Sequence, residues 1–228
     1  MFETIGYIQN VTEQGVVTLV APTEKSYRID HQEIYQARVI FDDGRLMTAV
    51  QRKAIFATLN DIAKHSGHEL DEIETHFKVE LIKKTGCDYF TFSSKPIGDR
   101  LPCDVTTARL YLRLLIDFCL RWDIPTKESL LSRAEDTGKY LYACLIYKKC
   151  AICQRPGELH HIDAIGSAYR ATTEHIGRES VCLCRIHHDE CHALGRDTFE
   201  KHFNIFGIKI DKTIAKKHNL PLKGAYDA

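Results

Sequence analysis

The sequence predicts an α+β protein in which an N-terminal antiparallel sheet with helices precedes a C-terminal domain stabilised by metal. Three observations support this: short β-rich segments over about the first 45 residues, helical periodicity after them, and a concentration of metal-ligand residues near the C-terminus. Seven of the twelve histidines and five of the nine cysteines lie between Cys150 and His202. We place the boundary near residue 135, which gives domains 1–135 and 136–228.

Four short N-terminal segments have the composition of antiparallel strands. They are separated by turn residues and cover 4–9, 16–21, 26–29 and 37–41. Asp43-Gly44 follows the last of them and is typical of a hairpin turn. A further strand is expected around Tyr89, Phe90 and Phe92, which are either core residues or a surface on which nucleic-acid bases stack.

Five segments show helical periodicity. They cover 48–65, 70–84, 104–123, 129–134 and 137–147. Thr48 is a suitable N-cap for the first helix, and Gly67 and Gly86 follow the first and second helices as stop signals. We expect Val50 and Trp122 on the buried apolar faces of the first and third helices.

Composition and charge exclude several classes of protein. The apolar fraction of 44% and charged fraction of 27% are ordinary for a globular protein, and a formal net charge of zero excludes a non-specific polycation. Residues 1–138 carry 17 Lys/Arg and 21 Asp/Glu, whereas residues 139–228 carry 14 and 10, so the C-terminal part suits phosphates better. The sequence shows no signal peptide and no apolar run near the roughly 20 residues of a membrane span, so we expect a cytoplasmic protein without membrane contact.

The C-terminal cysteines have the spacing of a closed zinc site. Cys150-x-x-Cys153 is a knuckle that brings two thiolates to one tetrahedral ion, and Cys184-x-x-His187 is the comparable downstream unit. Three thiolates and one imidazole suit a structural Zn²⁺ with no open position. Cys182 competes with Cys184 for the third place, and the alternative for the whole set is unrelated buried thiols in a reducing compartment.

The remaining cysteines are expected to take no part in metal binding. Cys87, Cys103, Cys119 and Cys144 stand singly in apolar or helical segments, where a buried thiol acts as a small hydrophobic group. Cys191 is expected to be a spectator beside the metal-ligand residues.

Three further histidines have the arrangement of an open metal site. His188 and His192 are four residues apart, so one helix face directs both to the same ion, and His160 joins them from a preceding strand. The adjacent His161 points to the opposite side of that strand, which suits a division of labour between a metal ligand and a base that activates water. Glu158 is either a partner that orients one of these rings or a solvated carboxylate.

These motifs resemble those of the HNH, or ββα-metal, endonucleases. The matching strings are Cys-x-x-Cys, Glu-Leu-His-His-Ile and Leu-Cys-Arg-x-His-His-x-x-x-His, and the second is also similar to the colicin-type DNases. The resemblance implies a hairpin over about 157–162 and 179–184 and a helix over about 188–202. It also implies that His161 is the general base. The implied ligands of the catalytic ion are His160, His188 and His192.

One position departs from the HNH pattern. The middle Asn of the family falls on Glu179, and no Asn occurs between Cys153 and His202. Because that Asn fixes the orientation of the general base in the family, we expect Glu179 or a backbone carbonyl to replace it. His175 lies in the loop before this position and is expected to be solvated or to face DNA.

The basic segment 45–59 is similar to the helix entry of the phage NinB (Orf) recombination-mediator proteins. This resemblance implies binding of single-stranded DNA and, since symmetric oligomers are common, a homodimer. Arg45, Arg52 and Lys53 are then candidate DNA-binding residues, with a solvated basic face as the alternative. Arg185, within the HNH-like motif, is a further candidate.

Together the resemblances predict a metal-dependent DNA endonuclease of phage or prophage recombination or replication. It would hydrolyse phosphodiester bonds with Mg²⁺ or Mn²⁺, or alternatively Zn²⁺ or Ni²⁺, beside a structural Zn²⁺. The expected partners are single-stranded or branched DNA and a single-strand-binding protein or recombinase, in the cytoplasm of the host cell. The competing prediction is a non-catalytic recombination mediator with a zinc-stabilised HNH-like module. A zinc-finger regulator is disfavoured by the near-zero net charge.

Overall fold

The computed structural model describes residues 6–13, 16–20, 44–162 and 175–221. In these ranges the helices are α1 (Ala49–Ser66), α2 (Leu70–Thr85), α3 (Val105–Trp122), α4 (Leu130–Arg133), α5 (Thr137–Tyr147), α6 (Arg185–Leu194), α7 (Arg196–Phe203) and α8 (Lys212–Lys217). The strands are β1 (Tyr7–Val11), β2 (Val17–Val20), β3 (Phe90–Thr91), β4 (Leu101–Pro102), β5 (Glu158–His161), β6 (Glu179–Leu183) and β7 (Ile208–Lys209). The chain forms two compact units, Met1–Leu115 and Ile116–Ala228. This mixture of helices with small, mainly antiparallel sheets agrees with the predicted fold class.

The first unit begins with an antiparallel hairpin. β1 and β2 pair from Tyr7 opposite Val20 to Val11 opposite Val17, with one irregularity in the register. The first two predicted strands are therefore confirmed. Outside the described residues lie the strands predicted over 26–29 and 37–41 and Asp43 of the predicted turn.

α1 and α2 begin and end close to the predicted positions. The Thr48 hydroxyl accepts a hydrogen bond from the Gln51 N–H (3.1 Å), and the Gln51 side chain accepts one from the Thr48 N–H (2.9 Å), which closes a capping box. Gly67 (φ 76°) and Gly86 (φ 73°) end the two helices in the left-handed conformation, which glycine adopts without strain. Local sequence signals therefore set these helix bounds.

The buried face of α1 is formed by Ile55, Leu59 and Ile62, which are at most 2% exposed. Val50 is 79% exposed, so its predicted place on this face is wrong. Val50 precedes Ile55 by five residues, which places it about 140° away around a helix of 3.6 residues per turn.

The strand predicted around Phe90 is reduced to a two-residue parallel pairing of β3 with β4. Phe90 and Phe92 are 5% and 4% exposed, and both rings pack edge-on against Tyr111. Tyr89 is 55% exposed. Phe90 and Phe92 are thus core residues. The alternative role, stacking against nucleic-acid bases, does not apply to these two rings.

α3 begins at an Asp104 cap and ends at an exposed tryptophan. The Asp104 carboxylate accepts a hydrogen bond from the Thr107 N–H (2.7 Å). Trp122 is 58% exposed, so its predicted burial is wrong. It is the last residue of α3, and its ring lies against Phe118 and Arg121 of the same helix. Among the described helices, α3 included, none combines the length and apolarity that a bilayer span requires.

The second unit is built on a three-stranded antiparallel sheet in the order β5-β6-β7. His160 lies opposite Val181 and His161 opposite Ser180. α5 packs on β6 and β7, and α6 contacts β6. Fully buried core residues of this unit are Leu141, Leu145, Leu183, Phe199 and Ile214. The sheet thus provides a rigid support for both adjacent histidines.

The boundary between the units falls within α3, whereas the sequence placed it near residue 135. The segment after α3 contacts the turn that contains Cys150 and Cys153. The Asp123 carboxylate pairs with the Lys149 ammonium, and the Thr126 hydroxyl donates to the Gln154 side-chain oxygen (3.1 Å). These side-chain pairs join residues far apart in sequence, and no local composition signal marks them.

Burial predicts different effects for two substitutions in α1. Ile55→Ala should lower the free energy of unfolding by about 2–5 kcal/mol, because it leaves a cavity in the core. Val50→Ala on the same helix should change it by less than about 0.5 kcal/mol. Urea denaturation followed by circular dichroism measures both, and equal losses for the two variants would contradict the described packing.

Candidate functional site

The first metal-ligand cluster consists of Cys150, Cys153, Cys184 and His187, whose ligand atoms all lie within 4.8 Å of one another. The Cys184 Sγ lies 3.6 Å from the Cys153 Sγ and 3.3 Å from the His187 Nδ1, which is itself 3.3 Å from the Cys150 Sγ. Bonds of about 2.0–2.3 Å at tetrahedral angles would separate neighbouring ligands by roughly 3.5–3.8 Å. The cluster therefore fits one tetrahedral ion of the zinc type.

A tight turn between α5 and β5 builds the first half of this cluster. The Gln154 N–H donates to the Cys150 carbonyl (2.9 Å), with Gln154 in the left-handed conformation (φ 60°), and the Cys150 N–H donates to the Arg155 carbonyl (2.8 Å). The Ala151 N–H donates to the Cys182 carbonyl (2.9 Å) and ties the turn to β6. Since β6 leads directly to Cys184 at the start of α6, the same contact aligns both halves of the cluster.

Arg155 compensates for burial at this cluster. Its guanidinium lies 3.3 Å from the Cys153 Sγ and 3.9 Å from the Cys184 Sγ. Burial is the largest influence on Cys153 and opposes its ionisation. The hydrogen bonds from Arg155, together with those from Cys150 and Cys184, outweigh burial, so the pKa of this thiol is lowered. Burial raises the pKa of Cys150 to about 12, so a metal ion is needed to hold Cys150 as a thiolate.

Of the two cysteines that compete for the third place, Cys184 lies in the cluster. Cys182 is fully buried on β6 and is not among the clustered ligands of the described residues. Cys191, expected to be a spectator, lies with its Sγ 3.6 Å from the His160 Nε2. The cysteines expected to be buried thiols, Cys87, Cys103, Cys119 and Cys144, are all buried.

The second cluster joins His160 of β5 to His188 and His192 of α6, with ligand nitrogens within 4.8 Å of one another. Their ring centroids are 4.6–5.2 Å apart. Burial, followed by the neighbouring His188 and His192, lowers the pKa of His160 to about 4, so this ring is neutral at pH 7. The Nδ1 of His188 is buried and lies 3.7 Å from an Asp189 carboxylate oxygen, beyond hydrogen-bond distance, and it makes no hydrogen bond among the described residues.

Both properties fit a divalent ion. Neutral imidazole is the form that binds metal, and a buried nitrogen without a hydrogen bond is costly unless something satisfies it. Three protein ligands also leave positions for a substrate oxygen and water, as in catalytic metal sites. The structure brings together the three histidines that the sequence predicted as ligands, His160, His188 and His192, and their role as metal ligands stays a prediction.

His161 lies on the face of the hairpin opposite to His160, and it has a partner that the sequence did not predict. Its Nε2 is 3.0 Å from the Nδ1 of His175. His175 is 2% exposed, so the prediction that it is solvated or faces DNA is wrong. The pair is separated by 13 residues, and neither residue has a spacing motif that would have revealed the contact.

Glu179 does not lie where the sequence expected an orienting group. Its carboxylate accepts a hydrogen bond from the Arg196 guanidinium (2.7 Å) on α7. In the β5–β6 register His161 pairs with Ser180, so the neighbouring Glu179 projects from the other face of β6. Glu158, the other carboxylate considered, is exposed on β5, in agreement with the solvated alternative.

The helix of the motif is shorter than predicted. α6 spans Arg185–Leu194, and the next residue, Gly195, has φ 76° and ψ 156° and separates α6 from α7. The prediction of one helix over 188–202 is wrong, because this glycine changes the chain direction. His192 remains on α6, while His202 belongs to α7.

The comparison with protein families agrees with this geometry. The family model described as "Putative HNHc nuclease" matches residues 20–221. The chain belongs to this family. No curated protein and no solved structure gives a significant match. The match extends over most of both units. It does not show the NinB resemblance, which stays a prediction.

The candidate DNA-binding residues of this HNH family member are exposed. Arg45, Arg52 and Lys53 lie at or before the start of α1 in the first unit, and the Arg52 guanidinium stands 5.1 Å from the centre of the Phe56 ring. Arg185 opens α6 in the second unit, is 82% exposed and pairs with Asp189 at 3.2 Å. Their exposure leaves them accessible to phosphates, and their role in DNA binding stays a prediction.

The two clusters should bind metal independently. Cys150→Ser should abolish the zinc retained after dialysis, because it removes one of four ligands from a closed site. His188→Ala should keep that zinc, although His188 is adjacent to His187. Elemental analysis of the purified proteins measures both, and retention of zinc by Cys150→Ser would contradict the assignment of the first cluster.

The lowered pKa of His160 predicts an acid-sensitive fold when the second cluster is free of metal. The unfolded chain binds a proton at His160 near pH 6.5, whereas the folded chain does so only near pH 4. The free energy of unfolding should therefore fall by about 2–3 kcal/mol as the pH drops through this window. His160→Gln should lose this part of the dependence, and the exposed control His68→Gln should keep it. Denaturation without added Mg²⁺ or Mn²⁺ measures the effect, and identical pH profiles for all three proteins would oppose it.

Proposed function

We propose that this chain is a metal-dependent DNA endonuclease that hydrolyses phosphodiester bonds. The observation that carries the proposal is the convergence of His160, His188 and His192 on one point, with His161 on the next position of β5. Membership of the HNHc nuclease family supports the same activity and makes DNA the expected substrate.

In this proposal the residues divide into ligands and a base. His160, His188 and His192 would hold a divalent ion, which supplies charge stabilisation to the phosphate and to the departing oxygen. His161 takes the proton of the attacking water as a general base, which suits an imidazole because its ordinary pKa of about 6.5 leaves it mostly neutral at pH 7. The water oxygen forms a new bond to phosphorus, and the bond between phosphorus and one deoxyribose oxygen breaks. That oxygen leaves as an alkoxide and takes a proton from solvent water, and His161 returns its own proton to solvent after the reaction.

The placement of the cations supports a bound phosphate backbone. Arg185 is exposed at the start of the same helix that carries His188 and His192. We propose that Arg185 contacts phosphates beside the scissile bond and that Arg45, Arg52 and Lys53 of the first unit bind further DNA. The binding strength should then fall with salt.

The finer biological role is part of the same proposal. We propose that the substrate is single-stranded or branched DNA and that the protein acts in phage or prophage recombination or replication, in the host cytoplasm, with a single-strand-binding protein or recombinase. Because each site cuts one strand, a homodimer would be needed for paired cuts. The proposed metals are a structural Zn²⁺ at the first cluster and Mg²⁺ or Mn²⁺ at the second, with Zn²⁺ or Ni²⁺ as alternatives.

One observation favours a second function. Glu179 stands where the family has its middle Asn, and its carboxylate is engaged by Arg196. If no other group orients the base, the protein would be a non-catalytic recombination mediator that binds single-stranded DNA through a zinc-stabilised module.

Cleavage of supercoiled plasmid and of labelled single-stranded and branched DNA distinguishes the two functions. With Mg²⁺, Mn²⁺, Zn²⁺ or Ni²⁺ supplied in turn, the wild-type protein should cleave, and His161→Ala should reduce the rate by about 10²–10⁴-fold with the zinc of the first cluster retained. His202→Ala on α7 is the matched control and should cleave normally. DNA binding without cleavage by any of these proteins, with every metal, would favour the mediator.

A further inference from the structure

We infer that His175 is the residue that positions the general base, His161. This inference rests on the proposed nuclease function and adds a residue that the HNH motif does not contain. His175 comes from the segment that enters β6, outside the strings that carry the family resemblance. It touches neither substrate nor the proposed metal ligands in this role, and it acts through His161.

The contact between the two rings is short and enclosed. The Nε2 of His161 and the Nδ1 of His175 are 3.0 Å apart, within the range of an N–H···N hydrogen bond. The ring centroids are 5.0 Å apart and the planes meet at 44°. His175 is 2% exposed and His161 is half-buried, so the His175 side of this contact is shielded from water.

The backbone around His175 is fixed independently of this contact. The His175 carbonyl accepts a hydrogen bond from the Arg178 N–H (3.2 Å) across a turn in which Gly177 has φ 84°. The Gly177 N–H donates to the carbonyl of Ile210 (2.8 Å), and the Ile210 N–H donates to the Arg178 carbonyl (2.9 Å). Ile210 is itself buried. These hydrogen bonds join the turn to Ile210, just after β7. The position of the His175 backbone therefore does not depend on the contact with His161.

The role of the base determines which ring donates the proton in this bond. Two neutral imidazoles share one N–H between the facing nitrogens, so either the Nε2 of His161 or the Nδ1 of His175 is the donor. If His175 donated, His161 would carry its own proton on Nδ1 and its only lone pair would be used in the contact. If His161 donates from Nε2, its lone pair is on Nδ1, which is the nitrogen that takes the proton of water in this proposal. A competent base therefore requires His175 to accept at Nδ1 and to carry its proton on Nε2.

The same bond survives the reaction. After proton transfer His161 has an N–H on both nitrogens, and the Nε2–H continues to donate to His175. No proton needs to leave through His175. The hydrogen bond from a charged imidazolium to an acceptor is also stronger than the one from the neutral ring. Glu179 is not available for this task, because its carboxylate is paired with Arg196 on the other face of β6.

Three variants separate positioning from packing. His175→Leu replaces the imidazole with an apolar side chain of similar size and so removes the Nδ1 acceptor. The value of kcat should fall about 10–100-fold with KM and zinc content unchanged. His175→Asn places an oxygen near the position of Nδ1 and should recover most of kcat. His202→Leu is the control for loss of an imidazole elsewhere. Wild-type kcat in His175→Leu, or no better cleavage by His175→Asn than by His175→Leu, would overturn the inference.

A second measurement does not depend on cleavage. Two-bond ¹H–¹⁵N correlation spectra of the full-length protein at pH 7.5 to 8 report which ring nitrogen of His161 carries the proton. The wild-type protein should show the Nε2–H form, and His175→Leu should show a mixture of the two forms. A wild-type spectrum with the proton on Nδ1, or one unchanged by His175→Leu, would overturn the positioning role. Absence of cleavage by the wild-type protein together with the expected spectra would instead overturn the nuclease function and leave the contact in place.

Discussion

The arrangement of the second unit depends on the closed cluster of Cys150, Cys153, Cys184 and His187. This cluster joins the turn after α5 to the end of β6 and the first turn of α6. His187 belongs to it, and the next residue, His188, belongs to the other cluster. The ion that fits the first cluster would therefore fix the rotation of α6 and, through it, the direction in which His188 and His192 approach β5.

The strand alternation of β5 provides the second constraint. Adjacent residues of a strand project to opposite faces, so His160 and His161 cannot serve the same ion without distorting the strand. The structure directs His160 to α6 and His161 to His175. One dipeptide thus supplies a ligand and a candidate base, and each is completed by a different part of the chain.

Much of this could be predicted from sequence, because the relevant signals are local. The capping box at Thr48, the glycine ends of α1 and α2, and the ligand spacings at Cys150 and His188 each depend on residues within a few positions of one another. The features that were missed are long-range or geometric. They include the His161–His175 contact and the Glu179–Arg196 pair. The backbone conformation of Gly195 ends α6. Because helical periodicity continues on both sides of this glycine, the sequence predicted one helix where the structure has two.

We expect two metal sites of different chemistry to lie side by side on α6. Anomalous X-ray scattering from crystals grown with zinc and then soaked in Mn²⁺ tests it most directly, because the two metals are distinguished at their absorption edges. We expect a zinc peak surrounded by Cys150, Cys153, Cys184 and His187 and a separate manganese peak among His160, His188 and His192. A single ion shared between the clusters, or a manganese ion bound only elsewhere, would contradict it.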